Sequence, residues 1–281
     1  QFAVLIFRVA GEDAKANNDF KSFEPNLTKI VDFNKKFVSY YELDTHPYNV
    51  LLDDYEEDMT MEDYDAFFNT LRRDLVPFVK EVLNSGKKLN DAFASKLYDS
   101  NKQKEFCNYL IDVFSFDRDS GLMKESVHPF TWNTHPKDVR FTTRYLENMV
   151  FSSIFAAIHE LGHATYEQQI DDKWDDTTLN GGASMGIHES QSRFYENVVG
   201  RSPEFWQIHF PKFKEIFPNQ LEGVTVDDFH RAVNKVEASL IRVEADELTY
   251  PLHIMLRYEI ERMLMSDEVQ VSELPKLWNE K

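Results

Sequence analysis

The strongest constraint on what this chain can fold into lies near its middle. Met149, Val150, Phe151, Ile154, Phe155 and Ile158 recur at helical spacing and run straight into His159-Glu160-Leu161-Gly162-His163. The pattern predicts a helix from about Glu147 to Ile170, with His159 and His163, four residues apart, on one face. Further stripes of the same period surround it. Leu27, Ile30, Val31, Phe37, Val38 and Tyr41 make one. Tyr64, Phe67, Phe68, Leu71, Leu75, Phe78 and Val82 make a second. It follows a Thr60–Asp63 start signal, carries Pro77 as a kink and closes at Gly86. Phe106, Tyr109, Leu110 and Val113 make a third, and helical signals return over 186–199, 226–247 and 252–266.

One stretch breaks the helical rule. Val139, Phe141, Thr143 and Tyr145 alternate with polar neighbours and read as a strand, with His128-Pro129-Phe130 and Trp132 as its partner. The expected fold is mainly α, with one small antiparallel β-sheet beside the central helix. No Pro/Gly/Ser-rich linker, internal repeat or low-complexity tract divides residues 1–281, so a single domain is expected.

Composition narrows the function classes. A hydrophobic share of 42% suffices for a sizeable core, and a formal charge of −18 disfavours nucleic acid and anionic membrane surfaces as partners. Cys107 is the only cysteine, so no intrachain disulfide forms, which fits a reducing compartment. The apolar run Phe2–Phe7 is far shorter than a membrane span and lacks a basic flank. A soluble, cytoplasmic protein is the expectation.

The helical histidine pair carries the chemistry. Two imidazoles at i and i+4 suit one zinc ion, and Glu160 between them is placed to take a proton from metal-bound water. Paired histidines on a helix without a metal fit the same letters. A metzincin extension would need Gly at position 166 and His at 169, where Tyr166 and Gln169 stand, so that class is excluded. The other choice of third ligand is a Glu on a later helix. Glu189, within His188-Glu189-Ser190-Gln191-Ser192, follows a polar, glycine-rich loop that lets a second helix fold back on the first. A solvated carboxylate at a helix start, stabilised by the helix dipole, explains Glu189 equally well, and spacing does not choose.

Five strings together do. HPF (128–130), DVRFTTRY (138–145), HELGH (159–163), GIHESQSRFYEN (186–197) and IRVEAD (241–246), in that order, resemble the M32 family of metallocarboxypeptidases, the carboxypeptidase Taq type. The likeness continues through ELTYPLHIMLRYEIER and includes the region from Asp19 through Thr60. It implies a large, mainly helical gluzincin-type peptidase domain with its zinc-site core over 128–266. The implied ligands of zinc, or of cobalt in its place, are His159, His163 and Glu189, with Glu160 as general base. Asp138, Arg140 and Thr142 match the family's DxRxT motif, and Ile241, Arg242, Ala245 and Asp246 its I/V-R-x-x-A-D motif. Members are commonly homodimers.

An exopeptidase must also hold the free α-carboxylate of its peptide substrate, which a planar guanidinium does with two parallel hydrogen bonds. Arg242 and then Arg140 are the candidates. Against that role, Arg140 fits a strand-surface ion pair and Arg242 a partner for Glu244 or Asp246. Asp246 and Glu196 suit the second nitrogen of a ligand histidine, or an ordinary helix ion pair. Tyr250 and His253 are candidates for oxyanion stabilisation. His128 and His188 are read as shaping the cleft, not as ligands. Family members are nearly twice as long and carry a GxxQDxHW motif that this sequence does not contain, so the domain is expected to be incomplete at both ends. Two other functions stay open beside a carboxypeptidase: a metallo-endopeptidase or oligopeptidase of the same clan, and an inactive zinc-binding helical fragment.

Overall fold

The computed structural model describes residues 10–11, 13–41 and 44–281; the run Phe2–Phe7 lies outside them. In chain order the elements are α1 (Phe20–Val38), α2 (Pro47–Asp53), α3 (Met61–Asn84), α4 (Ser100–Val113), β1 (Gly121–Glu125), β2 (Thr131–His135), β3 (Asp138–Thr143), α5 (Val150–Gln168), α6 (Met185–Arg193), a π-helical continuation (Phe194–Val199), α7 (Pro203–Ile216), α8 (Val226–Val233), α9 (Tyr250–Met265) and α10 (Leu274–Glu280). They fall into two compact units, residues 1–80 with 248–281, and residues 81–247. Among the described residues no helix is long and apolar enough to cross a membrane.

In the first unit, α1 is capped by the Asp19 carboxylate, which accepts the Ser22 amide. Asp63 closes the start of α3 by accepting both the amide and the hydroxyl of Thr60, and Gly86 follows α3 with a positive φ of 67°. Pro77 lies inside α3, which continues past it. Met61, Phe68, Tyr258 and Met255 share one buried cluster, while Leu27, Val31, Leu274, Leu277 and Trp278 pack around Ile260, Leu264 and Val271 in another.

The second unit is built on aromatic packing. Phe229 of α8 is fully buried among Phe93, Phe151, Trp206, Phe210 and Phe213, with ring centroids 4.5 to 5.7 Å away. Against this mass lies α5, whose Ile154, Ala157, Ile158, Leu161 and Ala164 are all buried. On its other side Thr143 of β3 donates to the Ser153 carbonyl. The expected sheet is there, next to the helix, but it is mixed and not antiparallel. β2 pairs antiparallel with β3, Trp132 opposite Arg140, whereas β1 adds parallel to the other edge of β3. Gly121 makes that edge possible: a Cβ there would stand 2.0 Å from the Val139 carbonyl oxygen.

The expected helix over 226–247 stops at Val233. Asn234 ends it, its side-chain amide donating to the carbonyls of His230 and Arg201. Beyond it only a 3-10 turn, Arg242–Glu244, is helical, and Leu240 is 91% exposed and Val243 62%. The apolar spacing is present, but no neighbouring surface buries it, and propensity alone does not hold so short a helix.

Candidate metal centre

Two helices meet at one glycine. A Cβ on Gly162 would lie 2.6 Å from the Ser192 Cα and 2.8 Å from the Gln191 carbonyl oxygen, so only a bare backbone lets α6 lie this close on α5. That approach carries Glu189 to the histidine face. Its Oε2 is 3.5 Å from His159 Nε2 and 3.3 Å from His163 Nε2. Metal–donor bonds of about 2.0–2.2 Å at tetrahedral angles set donor atoms roughly 3.3–3.6 Å apart. The three donors lie within 4.8 Å of one another, the one such His/Cys/Asp/Glu cluster among the described residues. Two imidazoles and a carboxylate with this separation suit a divalent cation.

The remaining atoms of these side chains are already committed. Glu189 Oε1 accepts from Arg193 Nε at 3.1 Å, and Oε2, which also accepts from the Ser192 hydroxyl at 3.1 Å, faces the histidines. His159 Nδ1 lies 2.9 Å from Glu196 Oε2, and that carboxylate also takes hydrogen bonds from Arg193 at 2.9 Å and Arg201 at 3.4 Å. His163 Nδ1 lies 2.7 Å from His188 Nδ1, and His188 Nε2 lies 2.5 Å from the buried Glu167. Asn133 of β2 donates to the other Glu167 oxygen at 2.9 Å. Both imidazoles are therefore aimed by partners on their far nitrogens, as metal-binding histidines require.

Electrostatics follow from this packing. Burial alone pushes the Glu189 carboxyl up, but as long as the imidazoles carry protons toward it, hydrogen bonding by His163 and the charges of His159 and Arg193 outweigh burial and hold it at about 2. The same contest, against His159, Arg193 and Arg201, leaves Glu196 below the usual carboxylate range. Burial lowers His159, yet its bond to Glu196 and the nearby Glu189 charge raise it overall. Glu160, only 6% exposed, is raised by burial, although the His159 charge and a hydrogen bond from Thr131 oppose the shift. Thr131 of β2 donates to Glu160 Oε2 at 2.6 Å, so the sheet fixes where this carboxylate points.

Of the residues singled out in the sequence, His159, Glu160, His163 and Glu189 come together. Arg140 stands on β3, where it grips Asp138 of its own motif through two bonds of 2.7 and 2.9 Å and lies over Trp132. Arg242 opens the 3-10 turn, and Glu244, which closes it, is bound by Arg144 and by Ser152. Asp246 accepts the Glu237 amide at 3.2 Å. Tyr250 and His253 lie in the first turn of α9, in the other unit. The sequence reading passed over Thr131, Asn133, Gly162, Glu167 and Arg193. Only Glu167 had a usable signal, one turn beyond His163 on the same helix.

A helix presenting HExxH, met by a second helix carrying a coordinating carboxylate, is the arrangement of a metallopeptidase of the HExxH-plus-Glu kind. The comparison with known families gives the particular group. Residues 8–281 match the family described as Carboxypeptidase Taq (M32) metallopeptidase, and the chain belongs to that family. It is 47% identical over 272 residues to Carboxypeptidase 1 of Bacillus subtilis (strain 168), covering 97% of this chain and 54% of that protein. The crystal structure of BsuCP superposes with a TM-score of 0.94 at 47% identity, covering 98% of this chain and 55% of that one. The M32 carboxypeptidase from Deinococcus radiodurans R1 gives 0.90 at 37% identity, covering 98% and 55%. The chain spans about half the length of the curated relatives it matches.

Proposed function

We propose that this chain carries the metal centre of a carboxypeptidase that hydrolyses the C-terminal bond of peptides with a free α-carboxylate. The observation behind the reading is the convergence of His159 Nε2, His163 Nε2 and Glu189 Oε2 beside the buried Glu160, in a chain whose relatives are named carboxypeptidases. His159, His163 and Glu189 would hold a zinc ion, or cobalt in its place, and such an ion would supply Lewis acidity for the scissile carbonyl and for the attacking water. Glu160 takes the water proton and returns it to the leaving amine. Thr131 holds one Glu160 oxygen, so the other is the one turned to the proton.

Arg242 and Arg140 receive the substrate carboxylate. For Arg140 this exchanges one carboxylate for another, because its guanidinium fork is already closed on Asp138. The chain forms part of one metallopeptidase domain, working in the cytoplasm and, at full length, as a homodimer, with no nucleic-acid or membrane partner.

The test pairs Glu160→Gln with a peptide offered in free-acid and amidated forms. The expected result is stepwise loss of C-terminal residues from the free acid only. Glu160→Gln retains its metal and loses about 10²–10⁴-fold in kcat. Internal cleavage of the amidated peptide would make the protein an endopeptidase, and bound metal with no hydrolysis by the unaltered protein would leave it a zinc-binding fragment.

A further inference from the structure

We propose that His188 is the positioning residue that fixes which nitrogen of His163 carries the proton, and that it arrives on the same helix as the third metal ligand. The inference rests on the reading of His163 as a ligand. Its basis is a continuous line of polar atoms: Asn133 Nδ2 to Glu167 Oε2 at 2.9 Å, Glu167 Oε1 to His188 Nε2 at 2.5 Å, and His188 Nδ1 to His163 Nδ1 at 2.7 Å. The line ends at His163 Nε2, 3.3 Å from Glu189 Oε2.

For two neutral imidazoles, donor and acceptor rules leave one assignment. An ionised carboxylate only accepts, so His188 donates from Nε2 to Glu167. The Nδ1 of that tautomer is a bare lone pair and only accepts, so His163 donates from Nδ1. The Nε2 of His163 is then left with its lone pair outward, on the side where Glu189 Oε2 stands. The opposite His188 tautomer would leave the Glu167 carboxylate without its donor and turn an N–H toward His163 Nδ1, and the opposite His163 tautomer would set two lone pairs 2.7 Å apart.

The surroundings hold the His188 ring to this task. Tyr166 meets it edge to face at 5.1 Å, and the Tyr166 hydroxyl accepts the Ala183 amide, tying down the loop that precedes α6. Gly182 passes so close that a Cβ would lie 2.6 Å from His188 Cδ2 and 3.4 Å from Glu167 Oε1. Ser184 caps α6 by accepting the Ile187 amide. His188 and Glu189 are neighbours on that first turn, so seating α6 against α5 delivers the third donor and the orienting group in one movement. His159 needs no such relay, because Glu196 reaches its Nδ1 directly.

The experiment has two arms on the intact protein. Long-range ¹H–¹⁵N correlation of histidine-labelled protein reads tautomers without any substitution; the expected spectrum shows His188 protonated at Nε2 and His163 at Nδ1. Zinc affinity by chelator competition is then compared for the unaltered protein, His188→Phe, His188→Gln, Gly182→Ala and His163→Ala. Loss of the acceptor in His188→Phe weakens zinc binding about 10–100-fold. His188→Gln, which keeps an acceptor oxygen and a donor amide, recovers most of that loss, and Gly182→Ala moves the ring and behaves like His188→Phe. A His188 protonated at Nδ1, or a His188→Phe protein that binds zinc as tightly as the original, overturns the proposal. If His163→Ala alone leaves zinc affinity unchanged, the ligand reading itself has failed, and the proposal falls with it.

Discussion

The two halves of the site chemistry sit in contrasting surroundings within residues 81–247. Around the histidine pair, polar atoms answer one another: Glu160 to Thr131, His159 to Glu196, His163 to His188, Glu189 to Arg193, with the two imidazole side chains only 17% exposed. The arginines proposed for the substrate carboxylate are placed otherwise. Arg140 is on an exposed strand face, and Arg242, itself half-buried, sits in a short turn after Leu240 and Ile241, which are 91% and 49% exposed. The difference separates what tight backbone packing positions from what a surface merely displays. A metal centre needs donor atoms placed to a few tenths of an ångström, and burial against two helices and a sheet supplies that.

The change expected to break the contrast most strongly is Gly162→Ala. One methyl group has no room between α5 and α6, so overpacking costs about 1–3 kcal/mol of stability. It also moves Glu189 away from both imidazoles. The expected outcome is a lowered thermal midpoint together with loss of stoichiometric zinc, read by denaturation and metal analysis on the same sample. Zinc retained at full stoichiometry would mean that the close contact of the helices does not set the site.

Next in size is Glu196→Gln. The substitution keeps the shape but removes the charge that His159, Arg193 and Arg201 share. Zinc affinity is expected to fall about 10–100-fold, or about 1.4–2.7 kcal/mol. Because Glu196 sits below the ordinary carboxylate range, its contribution to stability is present above that range and fades as acid protonates it. The variant should therefore lose the difference in thermal midpoint between metal-free samples at neutral and acidic pH that this carboxylate contributes. An unchanged zinc affinity would show that His159 is held by packing alone.

How much of this was legible in the sequence follows the same division. The helix of α5 could be read from periodicity, since its apolar residues must be buried on nearly every side. Glu189 could be named but not decided, because what brings it in is the bare Gly162 backbone against Ser192, a contact between distant segments. β1 was missed for a related reason: Gly-Leu-Met-Lys-Glu has no alternation, and its pairing with β3 depends on Gly121 meeting the Val139 carbonyl. The helix over-read beyond Val233 shows the converse. Residues 235–247 carry apolar side chains at helical spacing, yet without a surface to receive Leu240 and Val243 the period has no consequence. Glu196 and Asp246 looked equivalent in the sequence. The π-helical turn that carries Glu196 is invisible in the letters, and it is Glu196 that lies on His159.

The smallest expected effect is the one that tests the exposed half. Arg140→Ala removes a guanidinium that lies at the surface and is paired with Asp138, so the thermal midpoint and zinc affinity should both stay where they are. Turnover should respond in KM rather than kcat, because the side chain is assigned to hold the substrate carboxylate in ground and transition states alike. A charge-assisted hydrogen bond lost at that point raises KM about tenfold for free-acid peptides. Amidated peptides, which offer nothing for the guanidinium to grip, should stay uncleaved by both proteins. Equal KM values for the free acid would return Arg140 to its pairing with Asp138 and leave Arg242 to hold the carboxylate alone. A fall in zinc affinity would instead mean that β3 transmits strain through β2 and Thr131 to Glu160, and the boundary between the built and the displayed half would then have to be drawn further out on the sheet.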